Sequence, residues 1–138
     1  MDTPAVKPNP LILVAEDERE IRELIVFTLE IADFRVVAVP NGQEAVKKAV
    51  EISPDLILMD VRMPKMNGFE ACKALKQQEK TKDIPVVFLS AKGQEADIKM
   101  GFEAGAEAYF LKPFTPDELP QRLIKILIKY GKLLRVTI

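Results

Sequence analysis

Five short runs rich in valine, isoleucine and leucine punctuate the chain: Leu11 to Ala15, Arg35 to Val39, Leu56 to Asp60, Val86 to Ser90, and Ala108 to Leu111. They read as buried strands. Between them lie helix-length segments whose apolar residues recur at the 3.6 spacing. The first carries Ile21, Leu24, Ile25, Thr28 and Leu29, and the second Ala45, Val46, Ala49 and Val50. The third would carry Phe69, Cys72 and Leu75, the fourth Ile98 and Phe102, and the fifth Leu119, Leu123, Ile126, Leu127 and Tyr130. Phe69, Phe102 and Cys72 are expected in the core. Strand and helix alternating five times imply a five-stranded parallel sheet covered on both faces, with right-handed crossovers: an α/β doubly wound domain.

Local signals agree with this division. Asn41 stands three residues before Glu44, and Thr115 is followed by Pro116 and Glu118, both patterns that start helices. Gly131 suits the end of the last helix. Pro120 would remove a hydrogen bond and crowd the preceding turn, so a distorted or late start is expected there. At 138 residues one domain is the prior, and about two-thirds of the unfolded surface can be buried at that size. The expected division is a flexible lead-in over residues 1–9, a domain over 10–131 and a short tail over 132–138. The chain stops soon after the fifth helix, so the expectation is either a stand-alone domain or a fragment of a longer protein, without an output domain of its own.

Charge and composition exclude several classes of function. Twenty Lys and Arg against 21 Asp and Glu leave no cationic excess for a phosphate backbone, so no direct nucleic-acid contact is expected. No apolar run approaches the length of a membrane span, and no signal peptide opens the chain, which points to a cytoplasmic protein. The chain has no histidine and a single cysteine, Cys72, which excludes Ser-His-Asp and Cys-His catalysis, an internal disulfide and a Cys-rich metal site.

Doubly wound sheets bind ligands beyond the carboxyl ends of their strands. Glu16 and Asp17 follow the first strand and Asp60 closes the third, strands that are neighbours in such a sheet. Three carboxylates meeting there repel unless a proton or a cation neutralises them, and an all-oxygen ligand set suits Mg²⁺. Each acid alone can also be a solvated turn or a helix cap. Ser90-Ala91 follows the fourth strand, and Lys112-Pro113-Phe114 the fifth. Carboxylates, a hydroxyl, a small residue with an available N–H, and an ammonium together suit a phosphoryl group. Asp60 can then act as nucleophile, with charge on the transferring group neutralised by its surroundings.

Taken together, Glu16-Asp17, Asp60 with Met63-Pro64 and Gly68, Ser90-Ala91, and Lys112-Pro113-Phe114 resemble the receiver domain of two-component response regulators over about residues 10 to 130. The resemblance implies a flavodoxin-like strand order 2-1-3-4-5 and a signalling switch rather than a conventional enzyme. It implies that Asp60 accepts a phosphoryl group from a sensor histidine kinase or histidine phosphotransfer protein. Mg²⁺ would be held by Asp17, Asp60 and the Arg62 carbonyl, with Glu16 helping directly or through water. Ser90, Ala91 and Lys112 would hold the phosphoryl oxygens, and the Lys112-Pro113 bond would be cis. Ser90 and Tyr109 would move together and remodel the face of helix four, strand five and helix five, where a downstream protein partner binds. Arg62 and Lys92 occupy positions that in this family tune the lifetime of the aspartyl phosphate, and Ser stands where Thr is commoner.

Three other readings compete. A Mg²⁺-dependent phosphohydrolase would want an acid two residues after the nucleophile, where Arg62 stands, and a cap that no insertion here is long enough to supply. A flavin or nucleotide carrier would not place Glu16-Asp17-Glu18 in its phosphate loop. A receiver-like scaffold that binds a partner without being phosphorylated is separated from the switch only by experiment.

Overall fold

The computed structural model describes residues 9–133. Most of the expected lead-in and residues 134–138 of the expected tail lie outside the described residues. The elements run β1 (Leu11–Ala15), α1 (Arg19–Ile31), β2 (Arg35–Val39), α2 (Gly42–Ile52), β3 (Leu56–Met59), α3 (Gly68–Lys76), β4 (Val86–Ser90), α4 (Glu95–Glu103), β5 (Ala108–Leu111) and α5 (Glu118–Lys129). All strand pairs are parallel, in the order β2-β1-β3-β4-β5. The doubly wound expectation holds, and the five strands coincide with the five apolar runs except that Asp60 lies just past the end of β3.

The central strands β1, β3 and β4 are apolar on both faces because helices cover both. On one side Leu13, Ile57, Met59, Val86 and Phe88 pack with residues of α2 and α3 such as Ala45, Ala49, Cys72 and Leu75. On the other, Ile12, Val14, Leu58, Val87 and Leu89 pack with Ile25 and Leu29 of α1 and Leu119, Leu123 and Leu127 of α5. Cys72 is fully buried and its thiol pKa is pushed up to about 11 by burial, as befits a small core hydrophobe.

Helix ends follow their local chemistry. The Asn41 side chain accepts from the Glu44 N–H at 2.8 Å, and Asn67 with Glu70 forms a reciprocal capping box that starts α3. Thr115 Oγ1 accepts from the Glu118 N–H at 3.2 Å, and α5 proper begins only at Glu118. Pro120 is therefore its third residue, where a missing N–H costs little. Gly131 adopts φ +72 just beyond the end of α5.

Three apolar residues differ from the sequence expectation, one of them Tyr130, which lies just past the end of α5 and is exposed. Phe102, expected in the core, is 49% exposed. α4 approaches β5 through Gly101, where an added Cβ would lie 2.8 Å from the Tyr109 ring and 3.2 Å from Phe88, and the next residue along the helix is turned away. Leu24, expected on the inner face of α1, is likewise half-exposed. The buried stripe of α1 is Ile25, Thr28 and Leu29. Leu24 joins Phe27 and Ile31 on a flank that opens onto Pro116, Pro120 and Ile124 beside α5.

Candidate phosphoryl-acceptor site

The carboxyl ends of β1, β3, β4 and β5 meet at one edge because their registers are locked by main-chain bonds that continue past the strands. The Asp60 N–H donates to the Ala15 carbonyl at 3.0 Å, and the Lys112 N–H to the Ser90 carbonyl at 2.9 Å. Gly68 brings the start of α3 onto this edge. Its N–H donates to the Val61 carbonyl at 2.7 Å, and a Cβ there would collide with the Asp60 carbonyl. Only glycine allows that approach.

Lys112 occupies the centre. Its Nζ donates to Glu16 Oε1 at 2.7 Å and to Asp60 Oδ2 at 3.2 Å, while Asp60 Oδ1 accepts from the Val61 N–H at 2.7 Å. The Lys112-Pro113 peptide that leads away from it is cis. Glu16, Asp17 and Asp60 each present a carboxylate oxygen within 4.8 Å of the other two. Burial raises the pKa of Glu16, and the Asp60 charge adds to this against the opposing Lys112 hydrogen bond. Burial by itself would lower the Lys112 pKa, but the hydrogen bond to Glu16 and the charges of Asp60 and Glu16 outweigh it, and the net shift is upward. The three carboxylates outnumber the one ammonium among them, all offer hard oxygen donors, and Asp17 is exposed. That donor set fits Mg²⁺.

The cleft over this group has a volume of about 400 Å³ and is walled by Asp17, Ile21, Asp60, Arg62, Ser90, Ala91, Lys92 and Lys112 among others. Every site residue expected from the sequence is thus in or beside it except Tyr109. Glu16 lies beneath, joined through Lys112. Ser90 is buried, its Oγ accepting from the Lys92 N–H at 3.1 Å. Tyr109 is half-buried: its ring packs on Phe88 with centroids 5.9 Å apart, and its hydroxyl donates to the Lys92 carbonyl at 2.7 Å. Ser90 and Tyr109 thus both bind the peptide groups of Lys92, and the Tyr109 hydroxyl also interacts with the Ser90 side chain directly, which lowers its pKa against the larger raising effect of burial.

A family model, the response regulator receiver domain, matches residues 12–124. The chain belongs to this family. The receiver is 43% identical over 119 residues to the alkaline phosphatase synthesis transcriptional regulatory protein PhoP of Bacillus subtilis, covering 86% of this chain and 49% of that protein. It is 46% identical over 112 residues to the phosphate regulon transcriptional regulatory protein PhoB of Escherichia coli, covering 81% and 49%. The receiver therefore spans about half the length of these curated relatives. Among solved structures, it resembles the chemotaxis response regulator CheY4 of Vibrio cholerae at a TM-score of 0.81 and 32% identity, covering 86% of this chain and 98% of that one. It also resembles the receiver domain of a Pseudomonas aeruginosa sensor histidine kinase, solved with a magnesium ion coordinated in its active-site cleft (TM-score 0.77, 30% identity, 88% and 97% covered). Receiver domains are signalling modules, and among the described residues no helix is long and apolar enough to cross a membrane.

Proposed function

We propose that this receiver is a phosphorylation-dependent switch in which Asp60 takes a phosphoryl group from a phosphohistidine on a sensor kinase or phosphotransfer protein. In the transfer an Asp60 carboxylate oxygen forms the new O–P bond as the N–P bond to imidazole breaks, and the nitrogen leaves with its electron pair and is reprotonated. The observation that carries this reading is the placement of the Lys112 ammonium 3.2 Å from Asp60 Oδ2, in an open cleft that Ser90 and Ala91 also line. Lys112 neutralises charge on the transferring group, the Ser90 hydroxyl and the Ala91 N–H offer donors to its oxygens, and the Val61 N–H orients the Asp60 carboxylate. Asp17, Asp60 and the Arg62 carbonyl would hold Mg²⁺, with Glu16 acting directly or through water. When bound, that ion supplies further neutralisation of phosphoryl charge.

Phosphorylation would draw Ser90 toward the phosphoryl oxygens. Since Ser90 Oγ holds the Lys92 N–H and Tyr109 holds the Lys92 carbonyl, that movement is passed to the loop before α4. The partner surface is then α4, β5 and α5, where Met100, Phe102 and Leu111 are exposed. A cytoplasmic location belongs to this reading. The same applies to the absence of nucleic-acid contact by these residues, while PhoP and PhoB are named as transcriptional regulators.

Acetyl phosphate with Mg²⁺ tests the proposal by intact-protein mass. One phosphoryl mass should appear and should be lost in Asp60→Asn. No gain would leave the scaffold reading, and turnover of many equivalents would favour a phosphohydrolase.

A further inference from the structure

Arg22 stands near the start of α1, outside the residues that wall the cleft, and its side chain runs back toward the loop bearing Glu16 and Asp17. Its Nη1 donates to the Glu16 carbonyl at 2.8 Å and reaches the Asp17 carbonyl at 3.4 Å. These two carbonyls belong to the peptide planes on either side of the Asp17 Cα. Because each plane is rigid, a donor that contacts both carbonyls restrains the φ and ψ of Asp17 and with them the direction of its Cα–Cβ bond. The rest of the loop is braced on the Glu16 side: the Glu16 N–H donates to the Val39 carbonyl, and the Glu18 N–H to Glu16 Oε2 at 3.2 Å. Glu18, the N-cap of α1, makes no side-chain cap bond, and the Asp17 side chain is exposed.

We propose that Arg22 is a positioning residue for the metal-binding acids: its guanidinium, by holding the Glu16 and Asp17 carbonyls, aims the Asp17 carboxylate at Asp60. The proposal rests on reading Glu16, Asp17 and Asp60 as a Mg²⁺ site. It makes the orientation of one metal ligand depend on the first turns of α1. A purely electrostatic role carries the opposite sign. A guanidinium beside a cation site repels the cation, so if charge were all that mattered, removing Arg22 would tighten Mg²⁺ binding.

Calorimetric titration of Mg²⁺ into the chelator-treated full chain separates these cases. Arg22→Met should weaken the Kd by about tenfold, the lower end of what groups that orient metal ligands contribute. Arg22→Lys, which keeps the charge but not the planar fork, should weaken it by a smaller factor. Affinity that is unchanged or tighter in Arg22→Met overturns the proposal. If that variant does not fold, Arg22→Lys decides alone, and a Kd equal to wild type overturns it. A wild-type chain that binds no Mg²⁺ would instead sink the metal reading on which this rests.

Discussion

Gly68 shows how one residue without a side chain shapes the site. An added methyl would fall on the Asp60 carbonyl, 2.8 Å from the Phe88 ring and 3.0 Å from the Val61 Cα. Backbone on one side and a fully buried ring on the other leave nowhere for it to go. Gly68→Ala should lower unfolding free energy by about 1–3 kcal/mol, the range for overpacking, read by urea denaturation. It should also slow phosphoryl uptake from acetyl phosphate, because the shift is forced on Asp60, the proposed acceptor. Arg62 and Lys92 make a different kind of prediction. Both wall the cleft, and Lys92 Nζ lies 4.0 Å from Asp97 on α4, a loose pair that leaves it able to turn inward. If their cationic side chains shield the aspartyl phosphate from water, Arg62→Ala with Lys92→Ala should shorten its half-life by about tenfold, equivalent to 1.4 kcal/mol of barrier. An unchanged half-life would end that idea.

At the scale of elements, the end of α5 is tied to the start of β5. Glu107 accepts from Lys129 Nζ at 2.7 Å and from the Tyr130 hydroxyl at 2.6 Å. Those two hydrogen bonds hold the Glu107 pKa below its ordinary value, and the bond to Glu107 pushes the Tyr130 pKa up to about 12. The signs then follow. A depressed acid contributes stability above its unfolded pKa, near 4.5, and loses it as pH falls through the folded value. A raised tyrosine contributes below 10 and loses that contribution as pH climbs toward 12. Tyr130→Phe should therefore cost most in the broad middle range and converge with wild type at both ends. Because Glu107 is only half-buried and Tyr130 is 37% exposed, the mid-range loss should stay under about 1 kcal/mol in paired denaturation curves. A constant gap across pH would show that packing, not this hydrogen bond, anchors the helix. The elements themselves were legible in the sequence because buried parallel strands leave continuous apolar runs, which Leu56–Met59 and Val86–Ser90 show plainly. Phe102 and Leu24 were misread because helical spacing marks which residues share a face, but not whether a neighbour covers it. Small Gly101 and Ala104 took the inner side of α4, and α1 left its Leu24 flank open toward α5. Asp17, Asp60, Ser90 and Lys112 were legible because they stand at strand ends, where topology collects them. Arg22 was not, since it acts through carbonyls that every residue possesses.

Considered whole, the molecule holds its two apolar cores on either side of one sheet while its carboxyl edge gathers like charges that a fold selected for stability alone would keep apart. Lys112 offsets part of this, as its bonds to Glu16 and Asp60 show, but Asp17 remains exposed beside both acids. The molecule should therefore be less stable without a divalent cation than its cores would allow, and a ligand bound only by the folded state should restore the difference. At Mg²⁺ one hundred times its Kd the gain is about 2.7 kcal/mol, or roughly 10 °C in Tm for a chain of this size. Asp17→Asn reverses both halves of that behaviour. With one charge fewer at the edge it should melt higher than wild type in chelator, and with one ligand fewer it should gain little or nothing from Mg²⁺, so the two melting temperatures cross as Mg²⁺ is added. Coincident curves in a thermal-shift titration would mean that Asp17 neither strains the edge nor binds the ion, and that Lys112 already satisfies the cluster.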